Sequence, residues 1–186
     1  MIASSKERPR SADPAPEAAE RIHVAIVDSA IGRVLVASSE QGICAMLPGD
    51  DDAALRQALE RRFPQAVLLE SERPPEEWLS QVAAFLDDPS RGLTLPLDLR
   101  GTPFQQRVWE ALRRIPAGDT ASYTDIACRI GSPRAVRAVA RACATNPLAV
   151  VVPCHRVLRR DGGISGYRWG VERKRLLLER EARLSR

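Results

Sequence analysis

"SYTDIACRIGSPRAVRAVARACATN", residues 122–146, holds two helical segments joined by a Gly131–Ser132 corner. Gly131 stops the first, because glycine tolerates the left-handed backbone that ends helices. In the second, Ser132 is the expected cap, Pro133 opens the first turn, and Asn146–Pro147 closes the helix. Two helices meeting at such a corner predict a helix-turn-helix. At about 100° per residue, Arg134, Arg137 and Arg141 fall within about 60° of one another, with Ala138 beside them. Val136, Val139 and Cys143 lie opposite. One face packs on the protein, and the other offers three guanidiniums on a shallow, alanine-lined surface. A solvated basic face has the same pattern, so the surrounding charge has to decide between them.

That charge is lopsided. The 186 residues carry a net +4, but residues 101–186 hold 17 Lys+Arg against 7 Asp+Glu, whereas residues 1–100 are net acidic. From Arg129 to Arg160 there are seven arginines and no acid. A polyanion partner is expected for the second half. Only Lys6 and Lys174 are lysines, and arginine suits planar, bidentate contacts and insertion between bases.

Outward from this segment, "GTPFQQRVWEALRRI" predicts a helix capped by Thr102 and opened by Pro103, with Val108, Leu112 and Ile115 inward. Further back, "IHVAIV", "RVLVA" and "ICAML" read as a three-stranded meander turned at Gly32 and Gly42. Asp50 to Asp52 can cap a helix carrying Leu55, Leu59 and Phe63, and "EEWLSQVAAFL" repeats the pattern through Trp78, Val82 and Phe85. "LTLPLDL" alternates as a strand, with Pro96 marking an edge. Residues 21–100 thus read as an α/β scaffold unit, 101–186 as the binding unit, and 1–20 as a disordered tail rich in Pro, Ala, Ser and charge.

No apolar run approaches the ~18 residues of a membrane span, and the first residues have no apolar centre, so a cytoplasmic protein is expected. Four cysteines without regular spacing predict reduced thiols, and neither metal nor cofactor is expected.

After Asn146 comes "PLAVVVPCHRV". Five apolar residues, Leu148 to Val152, predict a buried strand that delivers Cys154 to the end of the arginine helix. Cys44, Cys128 and Cys143 read as inert core thiols. Cys154 differs, because His155 and Arg156 follow it and a cationic neighbourhood stabilises thiolate.

"PCHRV", with "NPLAVVV" before it and "GGISGYRWGVERKRLLLERE" after it, resembles the O6-alkylguanine-DNA alkyltransferases, particularly the C-terminal half of the bacterial Ada proteins. The likeness runs from about residue 22 onward. It implies an α+β molecule with an N-terminal ribonuclease-H-like subdomain and a C-terminal winged-helix subdomain. It implies irreversible transfer of an alkyl group from guanine O6, with O4-alkylthymine a further candidate, in duplex DNA entered from the minor groove by a monomer without sequence preference. By the same resemblance Cys154 is the acceptor, and His155 deprotonates it through a water, oriented by Glu181. Asn146 braces the turn, Tyr123 helps protonate the leaving guanine, and Arg137 takes the place of the flipped base. Tyr167 lines the pocket, and backbone groups of Val157 and Arg168 read the guanine edge. Arg134, Arg141, Arg156 and Arg160, with Ser132, complete the expected DNA contacts. No counterpart of Ada's Cys-rich zinc module occurs in these residues, so transcriptional control by self-methylation is not expected.

Two other classes share some of these features. A helix-turn-helix regulator or a lesion-binding relative needs no acceptor thiol. A Cys-His hydrolase needs its pair in contact, whereas neighbouring residues usually send their side chains apart. Base flipping costs a few kcal/mol, which phosphate contacts and the Arg137 plug can offset.

Overall fold

The computed structural model describes residues 19–70, 74–164 and 166–184. Three antiparallel strands, β1 (Arg21–Ser29), β2 (Gly32–Ser39) and β3 (Gly42–Gly49), form the predicted meander. A short β4 (Val67–Leu69) adds to β1 in parallel and gives the sheet order β3-β2-β1-β4. Side chains alternate across the sheet. Ile22, Val24, Leu35, Ala37 and Leu47 face α1 (Asp52–Arg62), packing on Leu55, Leu59 and Phe63. Ala25, Val34, Val36, Ile43 and Met46 face α2 (Glu76–Asp87) and the second half of the chain. Both faces are covered, which is why β2 is apolar on both sides.

The second half opens with α3 (Pro103–Arg113), where Thr102 and Gln105 close a capping box that satisfies two otherwise unpaired amides. Then come β5 (Ala121–Ser122), α4 (Tyr123–Arg129) and α5 (Val136–Ala144). β6 (Val157–Leu158) pairs with β5 in parallel, and α6 (Val171–Leu184) follows. Trp109, fully buried, donates its indole N–H to Ala142 O at 2.9 Å and locks α3 against α5. The fold is α+β, and among the described residues no helix is long and apolar enough to cross a membrane.

Three expectations are corrected. "LTLPLDL" is not a strand: only Ile43 bridges to Leu97, through Ile43 N to Pro96 O and Asp98 N to Ile43 O. Proline has no amide to continue a ladder. Ser132 does not cap α5. Its own N–H bonds Ala127 O and its carbonyl accepts from Ala135 N, so a turn fills Ser132–Ala135 and the helix starts at Val136. Leu148–Val152 is a buried turn rather than a strand, with Val150 at φ 68°. A β-branched residue there is strained.

Of the expected tail, residues 1–18 lie outside the described residues. Glu20 is held, its carboxylate by Arg100 and its carbonyl by Val67 N.

The free edge of β3 is covered by two irregular segments, Pro96–Asp98 and Pro147–Ala149. Met46 N bonds Pro147 O at 2.9 Å, and Ala149 N bonds Met46 O at 3.1 Å. Covering an edge removes a site of unwanted pairing. Here it also fixes the turn that leads to Cys154.

Candidate active site

Asn146, at the end of α5, organises that turn. It is fully buried. Its Oδ1 accepts from Leu148 N at 2.9 Å, and its Nδ2 donates to Val152 O at 2.8 Å and Leu148 O at 3.3 Å. One side chain thus replaces the partner strand that the buried backbone would otherwise need. The same Nδ2 lies 3.3 Å from Cys154 Sγ as a donor. The sulfur therefore sits directly behind the end of the arginine helix, with 4% of the residue exposed.

Cys154, His155 and Arg156 form one 3₁₀ turn. Three residues per turn send successive side chains about 120° apart, so His155 points away from the neighbouring sulfur. His155 Nε2 meets Glu181 Oε1 at 2.8 Å, and both side chains are buried. Arg156 Nε and Nη2 grip the two oxygens of Glu181 at 2.9 and 2.8 Å, and its Nη1 donates to Ile115 O. Gly118 N adds a bond to Oε2 at 3.3 Å. Burial works against ionising Glu181, but the hydrogen bonds and charges of His155 and Arg156 outweigh it and hold the carboxyl to about 2. Burial also pushes His155 below its ordinary value, only partly countered by Glu181. The ring is thus neutral near pH 7, with its proton on Nε2 facing the carboxylate. Nδ1 is a basic lone pair, buried and without a partner among the described residues.

Two expectations about charge are overturned. Arg156 is not the exposed contact expected of it: it is buried and spent on Glu181 and Ile115. Sequence shows its charge but not its burial. Nor does the positive charge prevail at the thiol. Burial pushes Cys154 above its ordinary value, and the Asn146 hydrogen bond with the Lys174 and Arg168 charges offsets this only in part.

The remaining candidates divide between wall and surface. Tyr167 packs into the core around the site, and burial beside the Cys154 sulfur keeps its phenol protonated. Tyr123, the first residue of α4, is half-buried against the same core. Val157 is buried, with its carbonyl accepting from Lys174 Nζ at 2.6 Å, which leaves a second lone pair. Arg168 is exposed and stacks 4.7 Å above the Trp169 ring. Arg134, Arg137, Arg141 and Arg160 are exposed, and Ser132 is half-buried in its turn.

Lys174 was missed by the sequence reading. It is fully buried, and burial lowers its pKa against the pull of Cys154 and Cys143. The available signal was a single lysine in a half otherwise basic only through arginine. Among the described residues no group of three or more His, Cys, Asp or Glu is placed to hold a metal ion.

A sheet unit carrying a helix-turn-helix, with a thiol built against the end of its arginine helix, defines the class of protein. Known families narrow it. A family model for the ribonuclease-like domain of 6-O-methylguanine DNA methyltransferase matches residues 22–99, and one for the DNA binding domain matches residues 103–183. The chain belongs to the 6-O-methylguanine DNA methyltransferase family. It is 55% identical to the bifunctional transcriptional activator/DNA repair enzyme Ada of Escherichia coli (strain K12), over 87% of this chain and 46% of Ada. It is 44% identical to the inducible methylated-DNA–protein-cysteine methyltransferase of Bacillus subtilis (strain 168), over 67% of this chain and 70% of that protein. The crystal structure of Mycobacterium tuberculosis O6-methylguanine methyltransferase superposes with a TM-score of 0.69 at 35% identity, covering 87% of this chain and 93% of that one. The chain spans about half the length of Ada.

Proposed function

We propose that this protein repairs O6-alkylguanine in duplex DNA by moving the alkyl group irreversibly to Cys154 Sγ. The observation that carries this is the hydrogen bond that an amide donor at the end of the arginine helix makes to one buried sulfur. The same 3₁₀ turn carries a neutral histidine locked by a carboxylate, its second ring nitrogen left basic. Binding is to double-stranded DNA without sequence preference, by a cytoplasmic monomer, with α5 in the minor groove. Arg134, Arg137 and Arg141 supply the charge, and Arg137 fills the stack behind the flipped base.

The chemistry follows from a protonated resting thiol. A free cysteine is only a few per cent thiolate at pH 7, and burial lowers that fraction here. No standing thiolate waits for substrate. Instead His155 Nδ1 takes the thiol proton through a bridging water as the base seats, and Asn146 stabilises the sulfur charge that forms. The S–C bond forms as the O6–C bond breaks. The electron pair returns to the guanine, and Tyr123 relays a proton to the ring, so that one proton passes in net from thiol to base. Most of the acceleration comes from in-line placement and protonation of the leaving group. Tyr167 and backbone groups of Val157 and Arg168 wall the purine. Because Cys154 is nearly enclosed, a purine reaches Sγ only when the surrounding side chains part.

Intact-protein mass after incubation with an O6-methylguanine duplex is the test. The expected result is a gain of one methyl, mapped to Cys154, and no gain in Cys154→Ala, which still binds DNA. An unchanged wild-type mass overturns the proposal.

A further inference from the structure

Besides the β3 edge that holds the turn before Cys154, the N-terminal half meets the segment after it through one guanidinium. Arg173 sits in the first turn of α6 with its side chain 13% exposed. Its Nε donates to Ile31 O in the β1–β2 turn at 2.9 Å. Its Nη1 donates to Trp169 O at 2.6 Å, and its Nη2 to Asp50 Oδ1, ahead of α1, at 2.8 Å. Three segments far apart in sequence are pinned at one point. Asp50 is 88% exposed, so that contact contributes least. The two carbonyl contacts are the more sheltered pair.

Trp169 is the pinned segment nearest the sulfur. Its ring packs into both hydrophobic cores, one on each side of the sheet. Tyr167, two residues earlier, lies beside the Cys154 sulfur, and Gly170 N bonds Tyr167 O at 3.0 Å to close the turn between them. A displacement at Trp169 O therefore passes through three residues of tight turn to the Tyr167 ring.

We propose that Arg173 is a positioning residue for the alkyl transfer, through which the β1–β2 turn holds the Tyr167 wall against Cys154. The proposal rests on the function proposed above. It gives the N-terminal half a part in the reaction beyond that of a scaffold. Among the described residues the α5 arginines share no hydrogen bond or ion pair with these groups, so DNA affinity is expected to be independent of the strut.

The experiment uses the whole chain as Arg173→Ala, Arg173→Lys and Asp50→Ala, each assayed below its melting temperature. In Arg173→Ala, methyl transfer at saturating duplex falls about tenfold, the scale of a small misplacement near the reacting atoms, while the Kd for DNA stays within about twofold. Arg173→Lys, which keeps one contact, falls between, and Asp50→Ala stays near wild type. Independently of DNA, iodoacetamide alkylation of Cys154, followed by peptide mass, rises about fivefold or more in Arg173→Ala, as for a local opening. Cys44 and Cys143 serve as internal controls and stay slow. Equal acceleration at all three thiols, or unchanged labelling of Cys154, overturns the strut. If wild type transfers no methyl, the function fails, and the labelling still decides whether Arg173 holds the wall.

Discussion

Cys44 and Cys154 are both buried, one in each half, and their hydrogen bonds run in opposite directions. Cys44 donates to Ala37 O at 3.4 Å, so its bond requires the proton to stay. Burial, with the charge of Asp98 nearby, pushes it up to about 12. Cys154 accepts from Asn146 Nδ2, so its bond strengthens as the proton leaves. Burial alone makes a thiol inert. In the function proposed, the direction of one hydrogen bond, with a locked imidazole in the same turn, separates a core cysteine from the acceptor.

The strongest way to break that comparison is to exchange the fates of the two thiols. Cys154→Ala is expected to abolish methyl uptake and Cys44→Ala to leave it intact, both read by intact mass. A methyl found on Cys44 would mean that bond direction does not select the nucleophile.

Next in size, Glu181→Ala leaves His155 and Arg156 buried without their carboxylate. Losing one partner of a buried ion pair costs about 3–5 kcal/mol, to be read as a drop in urea midpoint, with transfer lost as well. An equal substitution at Glu179, which is exposed on the same helix, should change neither.

The acid limb sharpens the same point. His155 is held below its ordinary 6.5, so its neutral form favours the native state. That contribution is whole above pH 6.5 and declines as pH falls below it. Glu181 is held to about 2 against an ordinary 4.5, so its contribution is whole above 4.5 and is lost toward pH 2. Stability measured by urea unfolding should therefore begin to fall near pH 6.5 and steepen below 4.5. A flat profile down to pH 5 would show that His155 is charged in the folded protein.

The smallest effect concerns the surface. Arg137→Ala and Arg141→Ala should each reduce the slope of log K against log salt by about 1, if each neutralises one phosphate. Arg156→Ala should leave that slope unchanged and instead lower stability.

Much of the fold was legible, because the meander and helices announce themselves by period, by caps such as Thr102 and the Asp50 to Asp52 run, and by the stop at Gly131. The turn at Leu148–Val152 was not. A run of buried β-branched residues looks like a strand, and nothing in the letters says that Asn146 would supply the hydrogen bonds a neighbouring strand normally gives. β4, three residues long, carries too little pattern to read. At the site, the motif around Cys154 led to the positions of Asn146, His155 and Glu181, whereas the burial of Arg156 and Lys174 depends on contacts from α6 across the fold. Composition could count the arginines but could not separate those facing solvent from the one beneath it.

The occupied oxygens of Glu181 carry one more consequence. Oε1 is shared by His155 and Arg156, and Oε2 by Arg156 and Gly118. The carboxylate has little room to receive hydrogen, so it behaves as a fixed negative pole and not as a depot. In the reaction proposed above, hydrogen drawn from the sulfur would rest only briefly on the imidazole before departing with the restored guanine. The spent protein would then be left electrically as it started, with a neutral thioether in place of a neutral thiol.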